Sequence, residues 1–327
     1  MTDTYKNITV LVICYKQQDV IKRALDSVLC QREYGLNKIV VCDDCSPDKT
    51  WDVLQDYKSR YPEYFEIHRN EHNLGIYQNM EKLVSLRGES DLFVNLSGDD
   101  AFENGFFKAV QDYIKANTVD FSVPIGIYAD YKVIYPNGNQ PIYRQNIVED
   151  KSLNRFSLYI RYKLCGRSMM INDLVLQKQK PTIFDKGLNL AESFFDCQKH
   201  LIVEKGYYVP VVGDIYYGGI GISMKLADTD YYSTQAMAKW QYYLDNLITK
   251  KEDVLLARAE IMKCQFILSP SIKGYFKCLR TYLASGYPHK PTFKEVKNFT
   301  FLMKHRVFKK YEKYWLLWAP IKLLYRL

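Results

Sequence analysis

Two pairs of adjacent aspartates, each placed directly after a short apolar run, constrain this chain more than any other feature. Asp43-Asp44 follows the run in KIVVCDDCSPDKT, and Asp99-Asp100 follows the run in DLFVNLSGDD. A short run of apolar and β-branched residues that ends in turn formers is typical of a buried parallel strand. In open α/β sheets, ligands bind at the carboxyl ends of such strands.

Carboxylates collected at strand ends repel each other and resist desolvation, so they need a partner. Common partners are a divalent cation, a sugar hydroxyl and a nucleobase N–H. One or two carboxylates together with substrate phosphates are the usual ligands of Mg²⁺. The acidic pairs therefore predict a nucleotide site that uses Mn²⁺ or Mg²⁺.

Strands and helices alternate along the first third of the chain. Apolar runs predict strands at residues 8–14, 38–42, 64–68 and 91–96. Apolar residues at helical spacing predict a helix after each of the first three strands. This alternation is typical of a parallel sheet with right-handed crossovers. We expect Ser46 to be the N-cap of the second helix.

Beyond about residue 117 the pattern changes. The segment FSVPIGIYADYKVIYPNGNQPIY predicts strands around a Pro-Asn-Gly-Asn turn, which favours antiparallel pairing. A helix over NLAESFFDCQKHLIVEKG, with Gly206 as its C-cap, and a last strand over YYVPVVGDIYY follow. Residues 228–287 have a helical pattern. We therefore predict an α/β fold with a Rossmann-like mixed sheet flanked by helices and a helical C-terminal extension.

Charge and cysteine usage restrict the class of protein. The net charge is +8, and residues 291–327, with nine Lys or Arg against two Glu, supply +7 of it. A nearly neutral remainder argues against a nucleic-acid-binding catalytic domain. Eight scattered cysteines and the absence of a long apolar run favour a cytosolic protein with reduced thiols. The single C-x-x-C of Cys42 and Cys45 is weak evidence for a redox or zinc site.

Five motifs, in this order and spacing, resemble those of family 2 glycosyltransferases with the GT-A fold. They are ITVLVICYKQQDVIKRALDSVLCQ, IVVCDDCSPDKT, NLGIYQN, LSGDD and LAESFFD. The resemblance implies a GT-A domain at residues 1–225, with a nucleotide-binding half at 1–117 and an acceptor half at 118–225, followed by a helical region at 226–327. It also implies transfer of a sugar from a nucleoside-diphosphate donor to an acceptor hydroxyl, with inversion at the anomeric carbon.

The resemblance also implies roles for individual residues. Ile13 and Tyr15, at the end of the first strand, would lie against the nucleobase and ribose. Asp44 would accept a hydrogen bond from a uracil-type N3–H, although aspartates at such a position also cap turns. Asp99 would bind a ribose hydroxyl, and Asp100 would bind the metal ion.

Several positions depart from the family pattern. Gly75 matches the family's turn after the third strand, which implies that it contacts the nucleotide, but Gln78 stands where many members have Arg. Ser97 replaces an acid two residues before Asp99, so metal affinity in the absence of nucleotide would be low. The nucleotide phosphates would then have to complete the site.

The catalytic base is expected at the start of the helix over LAESFFD. The family usually has Glu-Asp there, whereas this chain has Glu192-Ser193. A carboxylate near the acceptor hydroxyl fits the chemistry, so we predict Glu192 as the base and Asp196, one turn on, as the alternative. Glu192 could instead only complement the positive end of the helix dipole.

The C-terminal segment FLMKHRVFKKYEKYWLLWAPIKLLYRL mixes aromatic, aliphatic and basic residues. This mixture is typical of a helix at an anionic membrane surface, and also of a helix packed on its own domain or in a homodimer. We predict a cytoplasmic, peripheral membrane enzyme that uses a UDP-sugar and a glycan or lipid-linked acceptor in cell-surface polysaccharide or lipopolysaccharide synthesis. The alternatives are an inactive family member that serves as a membrane-bound assembly partner, and a sugar-nucleotide pyrophosphorylase.

Overall fold

The chain divides into two compact units, residues 1–224 and residues 225–327. The computed structural model describes residues 5–145, 159–160, 166–179, 191–219, 229–269 and 272–284. The domain bounds expected from the sequence, with two halves of the first domain meeting at residue 117, stay a prediction.

Nine strands in the described part of the first unit form one mixed sheet. They are β1 (Ile8–Cys14), β2 (Leu36–Asp43), β3 (Phe65–Arg69), β4 (Leu92–Ser97), β5 (Ala101–Phe102), β6 (Ile125–Ile134), β7 (Ile142–Tyr143), β8 (Met169–Ile171) and β9 (Lys205–Tyr217). The sheet order is β3-β2-β1-β4-β8-β6-β9-β5, with β7 paired to β6. The first four strands are mutually parallel, whereas β8 is antiparallel to both β4 and β6. The predicted α/β mixed sheet of the GT-A type is confirmed.

Helices cover both faces of the sheet. In the first unit they are α1 (Ile21–Leu29), α2 (Thr50–Arg60), α3 (Gly75–Ser85), α4 (Phe106–Ala116), α5 (Asp173–Lys178) and α6 (Ala191–Ile202). Strand alternation sends Val10 and Val12 to the face covered by α1, α2 and α4. The intervening Leu11 and Ile13 point to the opposite face, which α3 and α5 cover. The sheet is therefore buried on both faces, as apolar parallel strands require.

The strands after residue 117 confirm one prediction. β6 and β7 form the predicted antiparallel pair, with Gly138 at φ +80° in the turn.

Two predicted caps are wrong. Helix α2 begins at Thr50, and Ser46 instead donates its backbone N–H to Asp43 Oδ2 at 3.1 Å. Gly206 lies inside β9, because α6 ends at Ile202 and the chain enters the strand at Lys205.

The second unit consists of helices in its described part. They are α7 (Thr229–Asn246), α8 (Lys251–Leu268) and α9 (Ile272–Ala284), and α8 packs against both of the others. In the parts of the chain that the structure covers, every helix is too short or too polar to cross a lipid bilayer. The basic-aromatic segment predicted to bind a membrane lies outside the described residues.

Candidate active site

The end of β1 holds both acidic pairs in place through its backbone. The carbonyl of Cys14 accepts the N–H of Asp44 at 3.0 Å, and the carbonyl of Ile13 accepts the N–H of Gly98 at 2.9 Å. β1 lies between β2 and β4 in the sheet, so the two pairs stand on either side of one strand end. Both acidic pairs therefore lie at the edge of the sheet where the parallel strands β1, β2 and β4 end.

The carboxylate of Asp44 accepts hydrogen bonds from the residues at the start of α3. Its Oδ1 accepts hydrogen bonds from Asn70 Nδ2 and from the N–H of Leu74, both at 2.8 Å, and its Oδ2 accepts the N–H of Gly75 at 2.9 Å. The residue is 2% exposed. The turn-capping role that the sequence left open for this residue is therefore present, and the predicted contact with a nucleobase stays a prediction.

The other acid of the first pair, Asp43, is buried and has its own hydrogen-bond and ion-pair partners. It is fully buried, its carboxylate accepts the backbone N–H and the hydroxyl of Ser46, and Arg69 Nε lies 3.3 Å from Oδ2. Burial raises the pKa of this carboxyl, and the hydrogen bonds from Ser46 and the charge of Arg69 oppose that rise. Asp43 thus fixes the turn that follows β2.

The second pair is divided between a partly exposed acid and a buried one. Asp99 is partly exposed, and its carbonyl accepts a 2.5 Å hydrogen bond from Arg23 Nη2. Asp100 is 1% exposed, and both of its carboxylate oxygens have donors in the protein. Its Oδ2 accepts Arg167 Nη1 at 2.7 Å, and its Oδ1 accepts the N–H of Tyr217 at 3.1 Å.

Arg167 joins Asp100 to a third acid. Its Nη1 lies 3.3 Å from Oδ2 of Asp214, which β9 carries and which is 5% exposed. Burial raises the pKa of Asp100, and Arg167 opposes that rise. The guanidinium groups of Arg167 and Arg23 each lie over a tyrosine ring of β9. Arg167 is 4.2 Å from the ring centre of Tyr216, and Arg23 is 3.4 Å from that of Tyr217.

These contacts bear directly on the predicted metal site. Among the residues described, no group of three or more His, Cys, Asp or Glu residues is arranged to hold a metal ion. Asp100, to which the resemblance assigns the metal, is an ion-paired acceptor in this structure. The oxygen donors of the edge suit Mg²⁺ or Mn²⁺ chemically, but a cation there would depend on Asp99 and on oxygens from a substrate.

The remaining residues that the sequence predicted for the site differ in how exposed they are and in whether the structure describes their side chains. Tyr15 is 39% exposed at the end of β1, whereas Ile13 is 6% exposed and packs in the core. Glu192 lies in the first turn of α6, but its side chain and that of Asp196 are outside the described residues. Their predicted role as the base stays a prediction.

The sequence analysis missed Arg23, Arg167 and Asp214. A lone acid inside the apolar strand VPVVGDIYY was a usable signal, because a charge buried in a strand needs a partner. Arg23 is one of two basic residues at the start of an ordinary amphipathic helix, and no local pattern marks it. Arg167 lies within the least patterned stretch of the first unit, residues 118–190.

A mixed sheet with a central parallel part, and acidic pairs at the ends of β2 and β4, place the protein in the class of α/β proteins with the GT-A fold. Residues 9–178 match the family model "Glycosyl transferase family 2". The chain belongs to this family.

Curated relatives match parts of the chain. The processive diacylglycerol beta-glycosyltransferase of Mycoplasma pneumoniae is 29% identical over 120 residues, which is 36% of this chain and 35% of the relative. The uncharacterized glycosyltransferase EpsJ of Bacillus subtilis is 22% identical over 218 residues, which is 62% of this chain and 60% of the relative. In both cases the match spans less than two thirds of the relative's length.

Solved structures share the fold. TarS 1-349 of S. aureus in complex with UDP-GlcNAc matches with a TM-score of 0.59 and 15% identity, over 85% of this chain and 80% of that one. The mannosyltransferase PcManGT of Pyrobaculum calidifontis, solved with GDP-Man and Mn²⁺, matches with a TM-score of 0.52 and 12% identity, over 95% and 88% of the two chains.

Proposed function

We propose that this protein is an inverting glycosyltransferase that moves a sugar from a nucleoside-diphosphate sugar to a hydroxyl of a glycan or lipid-linked acceptor. The observation that carries the proposal is the pair of β1 carbonyls that hold Asp44 and the Asp99-Asp100 turn beside one strand end. This is the edge where open α/β sheets bind ligands. Family membership and a structural relative with bound UDP-GlcNAc support a UDP-sugar as donor.

A divalent cation is part of the proposal. We assign its protein ligand to Asp99 rather than to Asp100, because Asp99 is partly exposed and Asp100 is held by Arg167 and Tyr217. The Mn²⁺ in a relative with bound GDP-Man supports Mn²⁺ or Mg²⁺. When bound, such an ion neutralises the charge that grows on the departing diphosphate.

The protein's own residues supply the rest of the chemistry. Tyr15, exposed at the end of β1, would contact the nucleoside. Glu192 would take the proton of the acceptor hydroxyl as that oxygen attacks the anomeric carbon. We also propose a role in cell-surface polysaccharide or lipopolysaccharide synthesis at the cytoplasmic face of the membrane, which the diacylglycerol-glycosylating relative and the basic-aromatic segment support.

Nucleotide release tests this function. Purified protein is incubated with Mn²⁺ and UDP-glucose, UDP-galactose, their N-acetyl forms or GDP-mannose, with and without lipid acceptors, and free nucleotide is measured. We expect release from one donor, stimulated by an acceptor and suppressed by EDTA. Silence with every donor, together with no calorimetric binding of UDP or GDP, contradicts the proposal and favours the inactive assembly partner.

A further inference from the structure

Helix α9 packs against α8 through the side that carries Cys278 and Thr281. Cys278 is fully buried, and its Sγ donates a hydrogen bond to the carbonyl of Ala259 in α8 at 3.6 Å. Thr281 Oγ1 lies 3.5 Å from Sδ of Met262 in the same helix. Residues three apart lie on one side of a helix, so these contacts fix which side of α9 faces α8.

The opposite side of α9 is exposed and basic, and it carries an aromatic ring. Lys273, Lys277 and Arg280 are exposed, and Phe276 is 61% exposed. Spacings of three and four residues place these side chains next to one another. With about 3.6 residues per turn, they lie on the side of the helix away from Cys278. We call these four residues the basic face of α9.

The sequence around the basic face favours an anionic partner. Residues 261–294 contain six Lys or Arg and no Asp or Glu. The segment that follows is also basic, since residues 291–327 carry nine Lys or Arg against two Glu. Like charge therefore opposes covering of the basic face by that segment or by the same face of a second copy of the chain.

The exposed ring of Phe276 among three cations favours a lipid surface in particular. Helices at membrane interfaces combine cations, which attract anionic headgroups, with aromatic side chains that enter the boundary of the acyl chains. Lysine and arginine side chains are long enough to keep their charges at the headgroups while their stems lie against apolar groups.

We propose that the basic face of α9 docks the protein on an anionic phospholipid bilayer. At 13 residues, α9 is too short to span a bilayer, so it would lie in the plane of the interface. The inference rests on the membrane location in the proposed function. It adds a docking surface that the sequence analysis did not find, because that analysis predicted membrane contact from residues 301–327.

Cosedimentation of the full chain with vesicles tests the proposal. The vesicles contain phosphatidylcholine alone or mixed with about one third of the anionic lipid phosphatidylglycerol. The proteins are the wild type, Lys273→Gln/Lys277→Gln and the matched control Lys108→Gln/Lys205→Gln. Lys108 and Lys205 belong to the first unit and are 51% and 52% exposed, and their replacement changes the net charge by the same amount. Circular dichroism and melting temperature verify that each protein is folded.

We expect the wild type and the control to bind the mixed vesicles at least about tenfold more tightly than phosphatidylcholine alone. Lys273→Gln/Lys277→Gln should bind the mixed vesicles at least about tenfold more weakly than the wild type, because two cations leave the docking surface. Phe276→Ala should bind them at least about threefold more weakly. Ile142→Ala, which removes a 55% exposed apolar side chain from β7, should bind like the wild type.

Lysine acetylation of the wild type, mapped by mass spectrometry, locates the surface without any substitution. Mixed vesicles should protect Lys273 and Lys277 from acetylation and leave Lys108 and Lys205 reactive. Equal reactivity of Lys273 and Lys277 with and without vesicles overturns the proposal, and this result decides the matter if the double variant does not fold.

Two further results overturn the proposal. One is wild-type affinity of Lys273→Gln/Lys277→Gln for the mixed vesicles, and the other is failure of the wild type to bind them. Nucleotide release from UDP-sugars separates this inference from the proposed function. Vesicle binding without release from any donor retains the docking surface and contradicts the enzyme, whereas release without vesicle binding retains the enzyme and overturns the docking surface.

Discussion

The carboxylate of Asp44 and the backbone N–H of Gly75 are joined by a hydrogen bond of 2.9 Å. This bond, with the parallel one from Leu74, ties the end of β2 to the first turn of α3. Gly75 has φ +81°, a conformation that glycine adopts without strain. The acid and the glycine, predicted separately as nucleotide contacts, thus form one structural unit at the edge of the candidate site.

Replacing Asp44 with Ala should destabilise the protein by about 1–3 kcal/mol, because the N–H groups of Asn70, Leu74 and Gly75 lose their acceptor. Urea unfolding followed by tryptophan fluorescence measures the loss. Asp56→Ala is the matched control, since Asp56 forms an exposed pair with Arg60 on α2 and should change stability by about 0.5 kcal/mol or less. An Asp44→Ala protein as stable as the control contradicts the capping role.

Gly98 is required for a different reason. A β-carbon at this position would lie 2.3 Å from Gln17 Oε1 and 2.5 Å from Ile21 Cδ1. Gly98→Ala should therefore cost about 1–3 kcal/mol through overpacking, and it should displace the turn that carries Asp99. Melting temperature and UDP affinity should fall together. Gly138→Ala is the control for UDP affinity: its β-carbon would meet no atom within 4 Å, so this variant should lose stability only through its φ of +80° and should keep its UDP affinity. A Gly98→Ala protein with wild-type UDP affinity contradicts the expectation.

Asp99 and Asp100 should respond in opposite ways to replacement by alanine. Asp100→Ala removes one of the two carboxylate partners of Arg167, whose side chain is 26% exposed, so we expect a loss of about 1–3 kcal/mol in stability. Asp99→Ala should change stability by about 1 kcal/mol or less and should abolish the Mn²⁺-dependent part of UDP binding. Thermal melts and calorimetry with UDP, with and without Mn²⁺, separate the two effects. The reverse pattern would return the metal to Asp100.

The sequence predicts the parallel half of the fold well, because its signals are local. The run Ile8–Cys14 is buried throughout, and Ile21, Ala24, Leu25 and Val28 form the buried side of α1 at helical spacing. The caps were harder to predict, because tertiary contacts decide them. Ser46 is a residue type that often forms an N-cap, but here its backbone N–H and its hydroxyl donate hydrogen bonds to the buried Asp43.

For the candidate site, too, the sequence predicted the local features but not the contacts between distant residues. The acidic pairs could be located because each is adjacent in sequence and ends a strand. Their different burial could not be predicted, since it depends on Arg167 and on Tyr217 of β9, which are distant in the chain. The partners of a charged residue come from packing, and single-sequence patterns do not encode such distant contacts.

The thiol of Cys42 should resist modification in the folded protein. It is fully buried in the sheet, and burial raises its pKa to about 11. The unfolded thiol ionises near 9.0, so the native state holds its proton more tightly and unfolding free energy should fall as the pH rises from about 9 to 11. Urea titrations at pH 8, 9 and 10 should show a smaller fall for Cys42→Ala than for the wild type.

Alkylation gives an independent measurement of the same property. At pH 8, iodoacetamide should modify the exposed Cys30 and spare Cys42 and Cys14, and mass mapping after digestion locates the label. Unfolding in urea should make all three thiols reactive. Rapid labelling of Cys42 in the native protein would contradict its burial at the end of β2.

The catalytic base can be identified by measuring donor affinity and turnover separately in variants of Glu192 and Asp196. Glu192→Gln keeps the size and hydrogen-bonding capacity of the side chain but removes its ability to take a proton, so donor affinity should be unchanged while turnover falls about 10²-fold or more. Asp196→Asn, one helical turn further along α6, is the matched control and should retain turnover. The measurements are UDP release in the presence of acceptor and calorimetric donor affinity. If Asp196→Asn loses turnover and Glu192→Gln keeps it, the proton is taken by Asp196, and Glu192 acts on the positive end of the α6 dipole.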